Sequence, residues 1–207
     1  MIIRASALPI ICTNSRTKGE VLSETAKSYI KKVAKEDFYG YATTLENKYL
    51  SKGIEVEEQS IELYNEVFFT NYTKNTERIT TEWLTGECDI DTGTKIIDIK
   101  SSWSLDTFPA TEDDINIKDY EMQLRGYMFL YDREEAEVAY CMVSTPEELI
   151  KWENQELHQV DHIDPRYRVT VKKIKRDLEI EKDIELKCKA AIEYYTKYIN
   201  TLYEKNN

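Results

Sequence analysis

The sequence predicts an α/β (α+β) fold, a mixed central sheet flanked by helices, on three observations. Apolar residues recur at helical spacing in four long stretches. Short β-branched runs, such as Lys95-Ile96-Ile97-Asp98-Ile99-Lys100, are bounded by turn signals. The two kinds of segment follow the order helix, three antiparallel strands, helix, strand. A chain of 207 residues is long enough for one well-buried core, so residues 1–207 are expected to form a single domain closed by a C-terminal helix.

Ser6 can cap a short first helix, and residues 18–38 read as a longer one with Val21, Leu22, Ala26, Tyr29, Ile30 and Val33 on one side. Another helix follows Gly53, where Ile54, Val56, Ile61, Leu63, Tyr64, Val67 and Phe68 alternate with glutamates through residue 69. Strands are predicted at 77–83, 86–90 and 95–101 as one meander, then an irregular stretch through 109–114. Residues 117–131 read as a helix, 136–144 as an apolar strand, 146–152 as a short helix and 167–174 as another strand. The last helix, 178–203, lines up Ile184, Cys188, Ala191, Tyr195, Tyr198 and Leu202, a face for packing on the domain or for an oligomer seam. Asn206 and Asn207 are expected to fray.

No apolar run approaches the roughly 20 residues of a membrane span, and the start lacks the features of a secretory signal. A cytoplasmic protein with no membrane partner is expected. Cys12, Cys88, Cys141 and Cys188 show no Cys-x-x-Cys spacing, which argues for reduced, buried thiols. The net charge of −11 counts against a nucleic-acid partner, because phosphate binding is driven by Lys and Arg displacing counterions. Residues 166–176 stand apart: Arg166, Arg168, Lys172, Lys173, Lys175 and Arg176 are basic, and none in the run is acidic. That run fits a DNA contact or the solvated face of an edge strand equally well.

The chemistry concentrates at residues 87–102. Asp91-Thr92-Gly93-Thr94 is a turn signal, and the strand after it carries charge where a core strand ordinarily would not. Pairing across a four-residue turn sets Ile90 opposite Lys95, Asp89 opposite Ile96 and Glu87 opposite Asp98. Asp89 and Asp98 then become diagonal neighbours roughly 7–8 Å apart, within reach of one divalent ion. The side-chain period of two puts Lys100 on the face of Asp98. A three-residue loop would throw Asp89 to the other face.

Four motifs in this order resemble the PD-(D/E)XK nuclease superfamily, and within it the phage-type recombination exonucleases that include the lambda exonuclease and YqaJ-like groups. The resemblance covers roughly residues 3–144. Gly53-Ile54-Glu55-Val56-Glu57 looks like the helix whose glutamate lies four residues after a glycine, which makes Glu57 a metal-site acid with Glu58 as the alternative. Gly86-Glu87-Cys88-Asp89 matches the segment whose aspartate ligates metal, with Cys88 where the family pattern has proline; this spacing selects Asp89 over Asp91. Asp98-Ile99-Lys100 matches the (D/E)-x-K element. Gln123-Leu124-Arg125-Gly126-Tyr127 matches the Gln-x-x-x-Tyr element, and its Gln123 and Tyr127 share a helix face.

The resemblance implies a metal-dependent DNA exonuclease acting on double-stranded DNA ends. Its ion would be Mg2+ or Mn2+, held by Glu57, Asp89, Asp98 and the carbonyl of Ile99. Lys100 would activate or position water, or stabilise charge in the transition state. The likeness further implies 5′ to 3′ polarity, a single-strand annealing protein as partner and a ring of three subunits. Arg4, Ser6 and Arg16 lie in or near a segment resembling the family's entry helix; with Arg125, Arg166, Arg168 and Lys172 they are candidate DNA contacts. Alternatives within the fold are a CRISPR-adaptation or helicase-type nuclease, an endonuclease, and a catalytically silent DNA-binding relative. A cysteine triplet near the C terminus, which iron–sulfur members need, is missing: only Cys188 lies there.

Overall fold

The structure, a computed structural model, describes residues 1–43 and 47–205; the Asn206-Asn207 end lies outside the described residues. Among the described residues, seven strands form two sheets. β1 (Ile3–Arg4) runs parallel to β3 (Leu84–Gly86), which pairs antiparallel with β2 (Ile79–Thr80). The larger sheet has the order β4 (Ile90–Asp91), β5 (Lys95–Ser101), β6 (Glu135–Cys141), β7 (Val169–Lys175), with β5 and β6 parallel and the outer pairs antiparallel. The mixed sheet flanked by helices is as the sequence predicts.

Alternation along β5 divides the core. Ile96 faces a cluster with Ala136, Val138, Leu124 and Met128, covered by α1 (Leu8–Ile11), α2 (Glu24–Tyr39), α5 (Glu121–Tyr131) and α7 (Leu178–Glu204). Ile97 and Ile99 face the other way, against Val56, Ile61, Leu63 and Tyr64. These last belong to or adjoin α4 (Glu57–Phe68), which follows α3 (Lys48–Glu55). The remaining helix, α6 (Glu147–Ile150), lies between β6 and β7.

Several sequence expectations are corrected. Ser6 caps nothing; it lies inside a 3-10 turn, Ala5–Ala7, and the N-cap position of α1 is Ala7. α2 begins six residues later than expected, at Glu24, because Ser23 accepts a hydrogen bond from Ala26 N–H and fixes the start there. The helix expected after Gly53 is two helices broken at Val56, whose φ of −109° is not helical. Ile54, assigned above to the buried stripe, is 70% exposed, while Lys52 is fully buried. The meander is not one sheet: the predicted strand 86–90 splits, Gly86 ending β3 in the small sheet and Ile90 opening β4 in the large one. Of residues 117–131 only Glu121–Tyr131 is α-helix, after a 3-10 turn.

Ile184, Cys188 and Ala191 of α7 are buried in the core, so packing explains that part of its face. Further along, the Tyr195 hydroxyl donates to Asp37 of α2 at 2.6 Å. All four cysteines are buried free thiols. No helix among the described residues is long and apolar enough to cross a membrane.

Candidate active site

α4 is pinned to β5 at two points. The Ser60 and Ser101 hydroxyls are 2.8 Å apart at the carboxyl end of β5, while Tyr64 hydrogen-bonds Glu137 and Lys95 reaches Glu137 at 2.8 Å near its beginning. The helix therefore runs opposite to the strand and sets its first turn, with Glu57, over the strand's carboxyl end. Open α/β sheets gather their ligands at that end. Glu57, Asp89, Ile99, Lys100, Ser101, Tyr120 and Tyr140 line one cleft there, with Tyr49, Leu50, Gly53 and Ile54 of α3 at its wall. Glu58, the alternative acid, is exposed and does not line it.

The hairpin closes differently from the expected four-residue turn. Asp91 stays in the strand opposite Ile96, Ile90 lies opposite Ile97, and the turn runs from Thr92 to Lys95 with Gly93 at φ 83°. The register is displaced by two residues, which preserves parity, so Asp89 still shares the face of Asp98. It now projects directly across from it. Asp89 Oδ2 accepts the Ile99 N–H at 2.6 Å. Asp91 is held elsewhere by a two-pronged contact with Arg133 at 2.7 and 2.8 Å, which lowers its pKa.

Asp98 is 1% exposed, and its Oδ2 makes no hydrogen bond, although Lys100 Nζ approaches it as an ion pair at 2.5 Å. Burial, then the neighbouring Asp98 charge, push Asp89 up to about 7; the Lys100 ammonium and the Ile99 N–H oppose the shift. Burial disfavours charge on Lys100, but Asp98 and Asp89 outweigh it and hold its pKa above the ordinary lysine value. Gln123 Nε2 lies 3.0 Å from the Tyr127 hydroxyl and 3.4 Å from Asp98 Oδ1, so the Gln-x-x-x-Tyr face is turned to the hairpin as the spacing predicts. Gly86 is required by packing: a Cβ there would lie 2.9 Å from Leu130 and Tyr127 side-chain atoms.

Glu57, on the opposite wall, is drawn to Lys74, whose Nζ is 2.5 Å from Glu57 Oε2. Among the described residues no three acids, histidines or cysteines converge closely enough to clasp one metal ion. Lys74, Tyr120 and Tyr140 carry no signal in the sequence that selects them. Lys74 sits in a polar loop-like stretch, and the two tyrosines lie 20 residues apart yet share a hydrogen bond between their hydroxyls.

The candidate DNA contacts separate into two groups. Arg4 and Ser6 line a hollow with Arg78, Thr85 and Tyr127, beside the cleft. Arg16 and Arg166 are exposed, the latter paired with Asp164 at 2.7 Å. The other three are engaged inside the fold. Arg125 is buried, bonded to Glu121 at 2.7 Å and to the Lys175 carbonyl at 3.2 Å. Arg168 is buried and faces Asp161 at 3.3 Å, and Lys172 donates to the carbonyls of Glu112 and Ile115. The basic run is thus largely edge strand, β7, with Arg168, Lys172 and Arg176 tied to neighbouring segments and Lys173 and Lys175 exposed.

A strand-end cleft that receives a hairpin acid, the x-K lysine beside it and a glutamate from a preceding helix is the architecture of the PD-(D/E)XK nucleases. No family model and no curated protein matches the chain. Among solved structures, it is similar to a phage-related exonuclease from Haemophilus somnus 129PT, with 33% identity over 98% of this chain and 96% of that one and a TM-score of 0.91. The chain belongs to the phage-type exonuclease family of the PD-(D/E)XK fold. The alkaline exonuclease LHK-Exo of Laribacter hongkongensis shares the fold at 16% identity, over 99% of this chain and 93% of that one, with a TM-score of 0.69. The same enzyme in complex with dAMP superposes with a TM-score of 0.68.

Proposed function

We propose that the chain is a divalent-metal-dependent DNA exonuclease that hydrolyses phosphodiester bonds at linear duplex ends in phage-type recombination. The observation that carries this reading is the Asp89–Asp98 pair. Two carboxylates face each other across a hairpin, and one buried oxygen, Asp98 Oδ2, has no hydrogen bond. One ammonium, Lys100 at 2.5 Å from Asp98 Oδ2, offsets two buried acids only in part, so the pair suits a site that takes a further cation.

The donor chemistry fits Mg2+ or Mn2+: Asp89, Asp98 and the Ile99 carbonyl are hard oxygens, and Glu57 lines the same cleft as Asp89 and Ile99, with Asp98 buried behind it. When bound, such an ion would polarise a phosphoryl oxygen and lower the pKa of water, so that a nucleophile is available near neutral pH. The chain's own residues do the rest. Lys100 leaves Asp98 to hold a fixed positive charge against the charge that grows on the phosphoryl oxygens, or to orient the attacking water. Gln123 fixes Asp98 Oδ1 and the Tyr127 hydroxyl, and Tyr127 stays neutral because burial raises its pKa. Arg4 and Ser6 line a hollow with Arg78 and Tyr127, and their donors suit phosphate contacts of a DNA backbone.

The proposal extends to 5′ to 3′ polarity, a ring of three subunits and a single-strand annealing protein as partner, on the family likeness. The test is incubation of linear and closed-circular DNA with Mg2+, with Mn2+ and with chelator, using wild type and Lys100→Ala. Progressive loss of linear DNA alone, abolished by chelator and reduced at least about 100-fold by the substitution, is expected. Nicking of circles would instead assign an endonuclease, and no cleavage by wild type would leave the silent relative.

A further inference from the structure

Lys74 is a cation whose placement the hydrolytic reading does not use. It lies outside any helix or strand, yet its backbone is tied to the metal-site segment. The next residue, Asn75, donates its N–H to the Asp89 carbonyl at 2.7 Å, and its side-chain amide donates to the Cys88 carbonyl at 3.1 Å and the Tyr131 hydroxyl at 3.0 Å. These bonds carry Lys74 alongside Asp89. Its Nζ then meets Glu57 at 2.5 Å, across the cleft from the Lys100–Asp98 pair. Glu57, Asp89 and Glu87 all raise the Lys74 pKa, Glu57 most, so the ammonium lies in the field of two of the site's acids. Glu57 is the acid that stands apart from the other two, and Lys74 is the group it is bonded to.

We propose that Lys74 is a second active-site lysine, which holds Glu57 as an internal counter-ion and passes to a DNA phosphate when Glu57 turns to the divalent ion. The inference rests on the nuclease reading above. One Glu57 carboxylate cannot serve an ammonium and a dication in full, and like charges in one cleft repel. The Lys74 side chain is 44% exposed, so swinging its flexible stem to a neighbouring anion requires no repacking. A DNA backbone entering the cleft supplies that anion. An ordinary surface ion pair, by contrast, has no link to metal or DNA binding.

The experiment uses full-length wild type, Lys74→Met, Lys74→Gln, Glu57→Gln and the Glu57→Gln/Lys74→Met double variant. Mn2+ affinity is measured by calorimetric titration without DNA, and affinity for an end-labelled blunt duplex by anisotropy with Ca2+ present. Both Lys74 variants are expected to bind Mn2+ at least about threefold more tightly than wild type, since a competing charge is gone. The gain should vanish in the Glu57→Gln background, as a double-mutant cycle requires of a direct pair. Duplex affinity should fall about threefold to tenfold, with the log–log salt slope reduced by about 0.9. Unchanged or weaker Mn2+ binding overturns the inference, as does a gain that persists with Glu57→Gln or an unchanged duplex affinity. A wild type that binds neither Mn2+ nor duplex ends overturns the nuclease reading together with it.

Discussion

Asp89 sits where burial and the Asp98 charge act in the same direction, and the result is a carboxyl with a pKa of about 7. A carboxylate raised in this way keeps, in the folded chain, a proton that the unfolded chain has lost. Between the ordinary value near 4 and about 7 the folded state therefore binds more protons, and stability of the metal-free protein falls as pH rises through that window. Above it the repulsion is fully present. Asp89→Asn keeps an oxygen for the Ile99 N–H and removes the charge. In chelator at pH 8 the variant is expected to be about 1–3 kcal/mol more stable than wild type, with the two converging near pH 4. Urea denaturation at the two pH values measures it, and equal stability at pH 8 would show that the acids do not repel. Protonation of Asp89 also competes with any cation, so metal affinity should weaken as pH falls below 7.

At the scale of elements, the wall of the cleft depends on a buried lysine. Lys52 of α3 donates from Nζ to the carbonyls of Ser102, Trp103 and Val143 at 2.5, 3.1 and 2.9 Å, so one ammonium ties the helix to the chain leaving β5 and β6. Burial pulls its pKa down to about 8, and the three acceptors are what the charged form needs there. Lys52→Met leaves three buried carbonyls without that donor and should destabilise the fold by about 2–4 kcal/mol in urea titration. A loss below half a kcal/mol would mean that water replaces the ammonium.

The elements also show what the sequence could carry. Asp98-Ile99-Lys100 was legible because a strand's parity alone puts Asp98 and Lys100 on one face, and Gln123 with Tyr127 because four residues make a helical turn. The hairpin register was not, since Asp91-Thr92-Gly93-Thr94 accommodates more than one turn and the choice depends on Arg133 holding Asp91 from 42 residues away. The break at Val56 was hidden because Ile54 and Val56 are apolar alike, although one is exposed and the other buried. Nothing in the sequence marks Lys52 or Lys74; only their tertiary contacts single them out.

For the whole molecule, the charge of −11 is the largest obstacle to the proposed substrate. Part of the basic run toward the C terminus is already engaged: Arg176 pairs with Asp132, Glu134 and Glu181, and Lys172 donates to two loop carbonyls, while Lys173 and Lys175 are exposed. The proposed function places DNA on four cations, Arg4 and Arg78 in one hollow with Lys74 and Lys100 at the acids. Four such contacts set a log–log salt slope no steeper than about −3.6 per subunit for a duplex end. Measured by anisotropy across a salt series with Ca2+ present, a slope near or above that value in a monomer would agree. A much steeper one would show that phosphates are gripped elsewhere, by Arg16 and Arg166 or by subunits that close around the duplex. Substituting those two arginines separates the outcomes: with the cleft as the main grip, Arg16→Ala/Arg166→Ala leaves both slope and affinity within about twofold of wild type.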